Sequence, residues 1–435
     1  MSFVLNDMRL LTAVKDGSMM GVQAALDAGA DVDGDPGRPW PPIVAATMAD
    51  SVVMVDFLLR RGAHPDMPIS QKVACPNSDM HDTIPGERAL HIAARSGKVE
   101  IVSLLLQRAR ADPNAIDARG GTPLLAASSC PPAYVCVEVV RLLLEAGANP
   151  TMAEENGFLP LHGVALKGNI DLVDMIYSRA PATLNHRTIQ GNTPLFVACS
   201  EGHHGVVSKL LSLGAMQPAP LNSDRCPLTI AAINGLVEVV RVLVNEGGIR
   251  AVGGEKALVK ALFVAISHRH ARILRVLLTV DGEERRSELA NSSLYGIPLI
   301  HDCARYCYPA AVSILLGAGA EEAARDSHGR IPRDIIGEDI MLADGVRMDR
   351  GREVAIRRML QRGPAYRSRS WAWPFGEEGD AGGSGDGDTG VAAAVLSTLP
   401  AVNPSPVRGV RIFRPKEKGS SKFFVRLIGG YCAKD

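Results

Sequence analysis

His301, Cys303 and Cys307 lie close together in the chain, and one imidazole with two thiols is a donor set that zinc accepts. If this stretch is helical, Cys303 and Cys307 at i, i+4 share a face. A zinc site needs four protein donors, or three and an open position, and no fourth partner is evident here. The core reading is therefore preferred for both thiols. Gly385-Asp386-Gly387-Asp388-Thr389-Gly390 has the letter pattern of a dinucleotide loop. That loop must follow a strand and accept a pyrophosphate, whereas this one follows an acidic stretch and carries two carboxylates that would repel phosphate. The chain has no Gly-x-x-x-x-Gly-Lys-[Ser/Thr], Gly-x-Ser-x-Gly or His-Glu-x-x-His motif. The expectation is no catalytic residue, no cofactor, no metal and no small-molecule substrate, so the protein is read as a non-enzyme.

The elements behind these residues come from self-similarity. Gly121-Thr122-Pro123-Leu124-Leu125-Ala126-Ala127 is echoed by Gly191-Asn192-Thr193-Pro194-Leu195-Phe196-Val197-Ala198 and by Cys226-Pro227-Leu228-Thr229-Ile230-Ala231-Ala232. Counting from Ala89 through Pro123, Pro160, Pro194, Pro227, Ala261, Pro298 and Pro332, the steps are 34, 37, 34, 33, 34, 37 and 34 residues. Thr122 suits an N-cap, and Pro123 the first helical position, where its missing N–H costs nothing. Gly97, Gly168, Gly202 and Gly235 are placed to end each first helix in a left-handed residue. A second apolar helix follows, as in Val99, Ile101, Val102, Leu104, Leu105, Leu106. One such pair cannot bury its own apolar face, but a stack of pairs can. Hydrophobic residues are 46% of the chain and aromatics only 4%, so thin Ala- and Leu-rich helices must supply the core.

These residues resemble the ankyrin repeat, whose pattern is Gly-x-Thr-Pro-Leu-His-x-Ala-Ala-x-x-Gly-His followed by a Val/Leu-rich helix and Gly-Ala-Asp. The resemblance implies an all-α ankyrin solenoid of stacked helix–turn–helix units with β-hairpin-like loops. Residues 1–336 would hold nine to ten units. Those at 86–114, 120–150 and 191–215 are near-complete, and an insertion falls at 67–85. It also implies structural hydrogen bonds for His91, His162, His301 and His203. His268 and His270, where another first helix ends, read as exposed. Partners would bind across the loop fingers and the concave ends of the first helices. The finger candidates are Asp117, Arg119, Glu154, Glu155, Arg187, Gln190, Asp224, Arg225, His328 and Arg330; the concave candidates are Arg95, Lys167, Glu201 and Asn234.

Beyond the array, 337–375 reads as a capping helix near 349–361 followed by an Arg/Trp segment. An acidic Gly-rich linker spans 376–390, and a basic tail with a hairpin-like pattern spans 391–435. Lys+Arg and Asp+Glu both number 47, which excludes a general field for nucleic acid. No cysteines are spaced Cys-x-x-Cys, so free thiols in a reducing compartment are expected. The first eleven residues lack a signal-peptide core, and no apolar run has spanning length, which points to the cytoplasm or nucleus. The functional expectation is an adaptor or scaffold that binds proteins. The alternatives are a regulatory or substrate-recognition subunit of a kinase, phosphatase or ubiquitin ligase complex, and binding of an anionic lipid surface or nucleic acid through the basic tail.

Overall fold

The computed structural model describes residues 2–34, 40–70, 83–129, 134–216, 226–246, 254–279, 282–336 and 350–362. The chain partitions into units Met1–Ser384 and Gly385–Asp435, and every described residue lies in the first. Asp224, Arg225, the centre of the insertion, the Arg/Trp segment, the acidic linker and the tail fall outside the described residues.

Among the described residues, nine helix pairs follow one another. They are α1 (Ser2–Lys15) with α2 (Met19–Asp27), α3 (Pro42–Met48) with α4 (Val52–Arg60), and α5 (Ala89–Arg95) with α6 (Val99–Ser103). Then come α7 (Pro123–Ser128) with α8 (Tyr134–Glu145), α9 (Pro160–Lys167) with α10 (Ile170–Arg179), and α11 (Pro194–Glu201) with α12 (His204–Ser212). The last three are α13 (Pro227–Ile233) with α14 (Val237–Asn245), α15 (Gly254–Ser267) with α16 (Ala271–Leu278), and α18 (Leu299–Arg305) with α19 (Pro309–Gly317). First helices stack on first helices and second on second, giving two layers with one apolar core between them. Leu90, Leu124, Leu195 and Leu228 from the first layer meet Val102, Val140, Val207 and Val240 from the second, all fully buried.

The local signals act as their chemistry demands. Thr122 and Thr193 hydroxyls accept the N–H of Leu125 and Phe196 at 3.2 Å, each cap contributing about 1 kcal/mol. Pro123 and Pro194 take the first helical position. Alanine stands for that proline at 89 and 261; α5 still begins at Ala89, whereas α15 begins earlier, at Gly254. Pro298 departs from the expected register. It is the N-cap of α18, one position before the place the other anchor prolines occupy.

Gly97, Gly168, Gly202 and Gly235 close their helices at φ between +69 and +88°. Asp50, Arg269 and Cys307 stand at the corresponding place in other units and carry positive φ without glycine's freedom. Cys307 thus lies beyond the end of α18, so it shares no helix face with Cys303. A further correction concerns Cys136, which is disulfide-bonded rather than free. Cys199, Cys226, Cys303 and Cys307 are free thiols.

Three features escaped the sequence pattern. The second helix of the third unit turns into a π-helix at Leu104–Arg108. Elsewhere the cap of the second helix and the alanine after its glycine are twelve residues apart, as in Ser51 to Ala63 and His203 to Ala215. Here Lys98 and Ala111 are thirteen apart, and the wide turn absorbs the extra residue. Helix α17 (Gly282–Ala290) precedes the ninth unit, held by buried Leu289 and Ala290 behind a charged run. A 3-10 turn at Pro181–Thr183 replaces the usual Gly-Ala ending. At the far end, α20 (Arg350–Arg362) packs on α19, burying Ile356, Met359 and Leu360 as a cap should. Val354 of the same helix is 44% exposed.

Candidate interaction surface

Each finger is a tight turn closed by its own backbone. Asp117 N–H reaches Gly121 O at 2.9 Å, Glu154 reaches Phe158 at 3.1 Å, Thr188 reaches Asn192 at 3.0 Å and Asp326 reaches Arg330 at 3.0 Å. A left-handed glycine follows in each case: Gly120, Gly157, Gly191 and Gly329. In the ninth unit the same turn registers as a two-stranded hairpin, Ser293–Leu294 with Ile297–Pro298. Successive fingers are joined edge to edge. Ala118 N–H donates to Pro85 O at 2.8 Å, Glu155 to Arg119 O at 2.8 Å, and Ile189 to Asn156 O at 2.9 Å. The insertion leaves from this same row. Backbone bonds close its two sides, Ile69 N–H donating to Glu87 O at 2.7 Å and Gly86 N–H to Ile69 O at 2.8 Å.

Histidines tie three of the fingers to the helix beneath the preceding one; the finger at 154–158 has no such bond, because Leu125 stands at the histidine position of the preceding unit. His91 Nδ1 accepts the Arg88 N–H at 3.3 Å, and its Nε2–H donates to Gly121 O at 3.1 Å, thirty residues ahead. His162 repeats this with Leu159 and Asn192, at 3.2 and 3.1 Å. Burial lowers both imidazoles to about 4, so both are neutral, as an accepting Nδ1 requires. His301 donates to Arg330 O at 2.9 Å, but its Nδ1 has no partner among the described residues, because the cap residue Pro298 has no N–H to give.

A second set of struts runs between first-helix ends. Lys98, His203, His270 and Tyr308, each capping a second helix, donate back to carbonyls of the preceding unit. Lys98 Nζ reaches Thr47 O at 2.7 Å, and His203 Nε2 reaches Leu166 O at 3.1 Å. His270 Nε2 reaches Ile233 O at 3.2 Å, and Tyr308 OH reaches Arg269 O at 2.8 Å. His270 is therefore a strut and not the exposed residue the sequence suggested; His268 is exposed beside it.

The expected site residues separate into two groups. Several are occupied in holding the scaffold. Arg95 pairs with Glu87, whose side chain is 1% exposed. Asp117 Oδ1 accepts the N–H groups of Arg119 and Gly121 at 2.7 and 2.8 Å, which shapes the turn. Asn234 Nδ2 donates to Ser200 O at 3.0 Å, and Arg187 also has an intramolecular partner. Arg330 Nε binds Asp326 at 2.9 Å, and His328 lies on the same turn. Burial pushes the Asp326 carboxyl up, yet the N–H groups of Arg330 and His328 with the Arg330 guanidinium outweigh it and hold it at about 2. Glu154 is half-buried, which raises its carboxyl. The rest project more freely among the described residues: Arg119 and Glu155 from the fingers, Lys167 and Glu201 from the first helices, and Gln190, whose Oε1 accepts only a long bond from Asn192 Nδ2 at 3.4 Å on its own exposed turn. Lys167, Glu201 and Asn234 occupy one equivalent position, eighth from Pro160, Pro194 and Pro227.

The fourth position from the anchors Pro123, Pro160, Pro194, Pro227 and Ala261 is a small or apolar residue: Ala126 and Ile230 are half-buried, and Gly163, Val197 and Val264 are buried. Gly163 is required there, since a Cβ would stand 2.7 Å from Ser129 Oγ and 3.2 Å from the Ser128 backbone. Ile189 at 77% and Tyr295 at 85% exposure escape the sequence reading; each sits on a finger turn, where apolar side chains have nothing to bury against. Cys199 and Cys303 are fully buried, and burial pushes both thiols well up, which suits packing rather than ligation. Among the described residues, no group of three His, Cys, Asp or Glu gathers as a metal site, and no helix is long and apolar enough to cross a membrane.

Paired helices, a hydrogen-bonded finger row and the histidine bonds define an ankyrin-type interaction module. The family model for ankyrin repeats (3 copies) matches residues 69–154 and 161–252, so this part of the chain is an array of ankyrin repeats. Among curated relatives, the human transient receptor potential cation channel subfamily A member 1 is 29% identical over 36% of this chain and 14% of the channel. Tyrosine-protein kinase HTK16 of Hydra vulgaris is 32% identical over 31% of this chain and 17% of the kinase. Ankyrin repeat protein nuc-2 of Neurospora crassa is 26% identical over 42% of this chain and 17% of that protein. The chain thus spans 14 to 17% of the length of these relatives. Ankyrin repeats are protein-interaction domains without catalytic machinery of their own.

Proposed function

We propose that this protein is an adaptor or scaffold that presents its finger row and the adjoining first-helix face to a protein partner. The observation that carries the reading is the run of inter-finger bonds through Ala118, Glu155 and Ile189, which fixes the loops before any partner arrives. A preorganised loop loses little conformational entropy on binding. Arg119, Glu155, Lys167, Gln190 and Glu201 then offer charges of both signs, so recognition rests on local complementarity rather than net charge. Photo-crosslinkers placed at Glu155 and Gln190 should capture a partner from native cells, while one at Arg141 on the second layer should not. Capture from Arg141 alone would refute this placement.

A regulatory or substrate-recognition subunit is the second reading. It is favoured by the likeness to a kinase that carries a matching segment. Co-purification of an enzyme whose activity changes on addition of the array would support it. Binding of anionic lipid or nucleic acid through residues 391–435 is the third, resting on the basic composition of that segment. Loss of vesicle binding on truncation at Gly376 would separate it from the first two.

A further inference from the structure

The first and last described helix pairs are finished differently. At the far end α20 lays Ile356, Met359 and Leu360 on the last helix pair. At the first unit, α1 packs on α2 and α3, and on its other flank α1 and α2 form an open groove of about 590 Å³. The α1 side is a single helical stripe, Leu5, Met8, Arg9, Thr12 and Asp16, and the α2 side is Gly21, Ala24 and Ala28. Leu5 is 51% exposed, Met8 46% and, at the nearby start of α2, Met20 87%. Neither Arg9 nor Asp16 has an ion pair among the described residues.

We propose that a second copy of this chain docks in this groove, joining two first units about a twofold axis. The charges specify that occupant. Arg9 and Asp16 are seven residues apart on one stripe, which is two turns or about 10 Å along the helix. Two α1 helices crossing antiparallel, centred between Thr12 and Ala13, place each Arg9 opposite the other copy's Asp16. The stripe is then its own complement, as an isologous interface demands. Small side chains at the centre, Thr12 and Ala13 with Gly21 and Ala24 beside them, let the helices approach. Leu5 and Met8 reach past the end of the facing α1 toward the turn that carries Met20. The surface is distinct from the finger row, so the dimer would present two partner-binding faces.

Sedimentation equilibrium of the 435-residue chain, from about 1 to about 100 µM at low salt, tests this. The expected result is a monomer–dimer equilibrium that weakens as salt rises. Arg9→Asp and Asp16→Arg alone each set like charges face to face, and should raise the dimer Kd by about tenfold or more. Combined in one chain, the two substitutions restore opposite charges and should return the Kd to near that of the unsubstituted protein. All three variants change exposed residues, so circular dichroism and melting midpoints should match the parent. A chain that stays monomeric throughout, a dimer indifferent to both substitutions, or a double variant no tighter than the singles overturns the proposal.

Discussion

The imidazole of His203 closes over Gly168, so that a Cβ on that glycine would stand 2.5 Å from Nδ1. The same ring donates to Leu166 O, two residues before the glycine, and joins the fifth unit to the sixth. Gly168 is at φ +77°. Alanine there meets both a conformational penalty and the ring, which cannot retreat without losing its bond. Gly168→Ala should destabilise the array by at least about 2 kcal/mol, read as a lowered urea midpoint. An unchanged midpoint would show that the strut is dispensable.

His91 and His162 give a pH dependence whose sign follows from their burial. Their folded values of about 4 lie below the ordinary 6.5, so between those limits the unfolded chain binds more protons. Their contribution is complete above pH 6.5 and is lost as pH falls through 6.5 toward 4. It amounts to roughly 3 kcal/mol for each histidine. Urea unfolding at pH 7, 6, 5 and 4.5 should show this decline. His162→Gln should lower stability at pH 7 and flatten the slope; a slope equal to the parent's would contradict the neutral, bonded ring.

Arg95 reads in the sequence as a concave binding residue, but it neutralises the buried carboxylate of Glu87, which also accepts the Ile84 N–H at 2.9 Å. Removing the guanidinium leaves a buried charge without its partner. Arg95→Ala should therefore cost about 3 kcal/mol of stability, with Glu87→Gln in the same chain recovering part of it. Chemical denaturation of the single and double variants checks this. A single variant as stable as the parent would return Arg95 to the free binding residues.

The π turn at Leu104–Arg108 makes a length prediction. Ala111 N–H bonds Leu105 O, six residues back, whereas Ala63, Ala215 and Ala320 bond five residues back, and Arg110 sits at φ +53°. Replacing Ala109-Arg110 by one glycine should restore the common spacing and stabilise the unit by about 1 kcal/mol. Amide exchange across 104–111 should slow. Faster exchange would mean that the wide turn is the better-packed form.

Legible from residue order alone were the helix pairs, their caps and their left-handed closures. Thr122 with Pro123, or Gly168 and Gly202, act within a turn or two of themselves, where chain neighbours are the whole environment. Alanine occupies the anchor position at 89 and 261, yet only α15 is lengthened, so the start of the first helix there is not set by that one residue. Which polar side chains stay free was not legible. The carbonyls that receive His270, Lys98 and Asn234 lie 34 to 51 residues away and come within reach only when units stack. The 1% exposure of Glu87, which makes Arg95 a structural cation, likewise appears only after packing. Local geometry is set by a few consecutive torsions, while burial and bond partners depend on neighbours that the fold alone supplies.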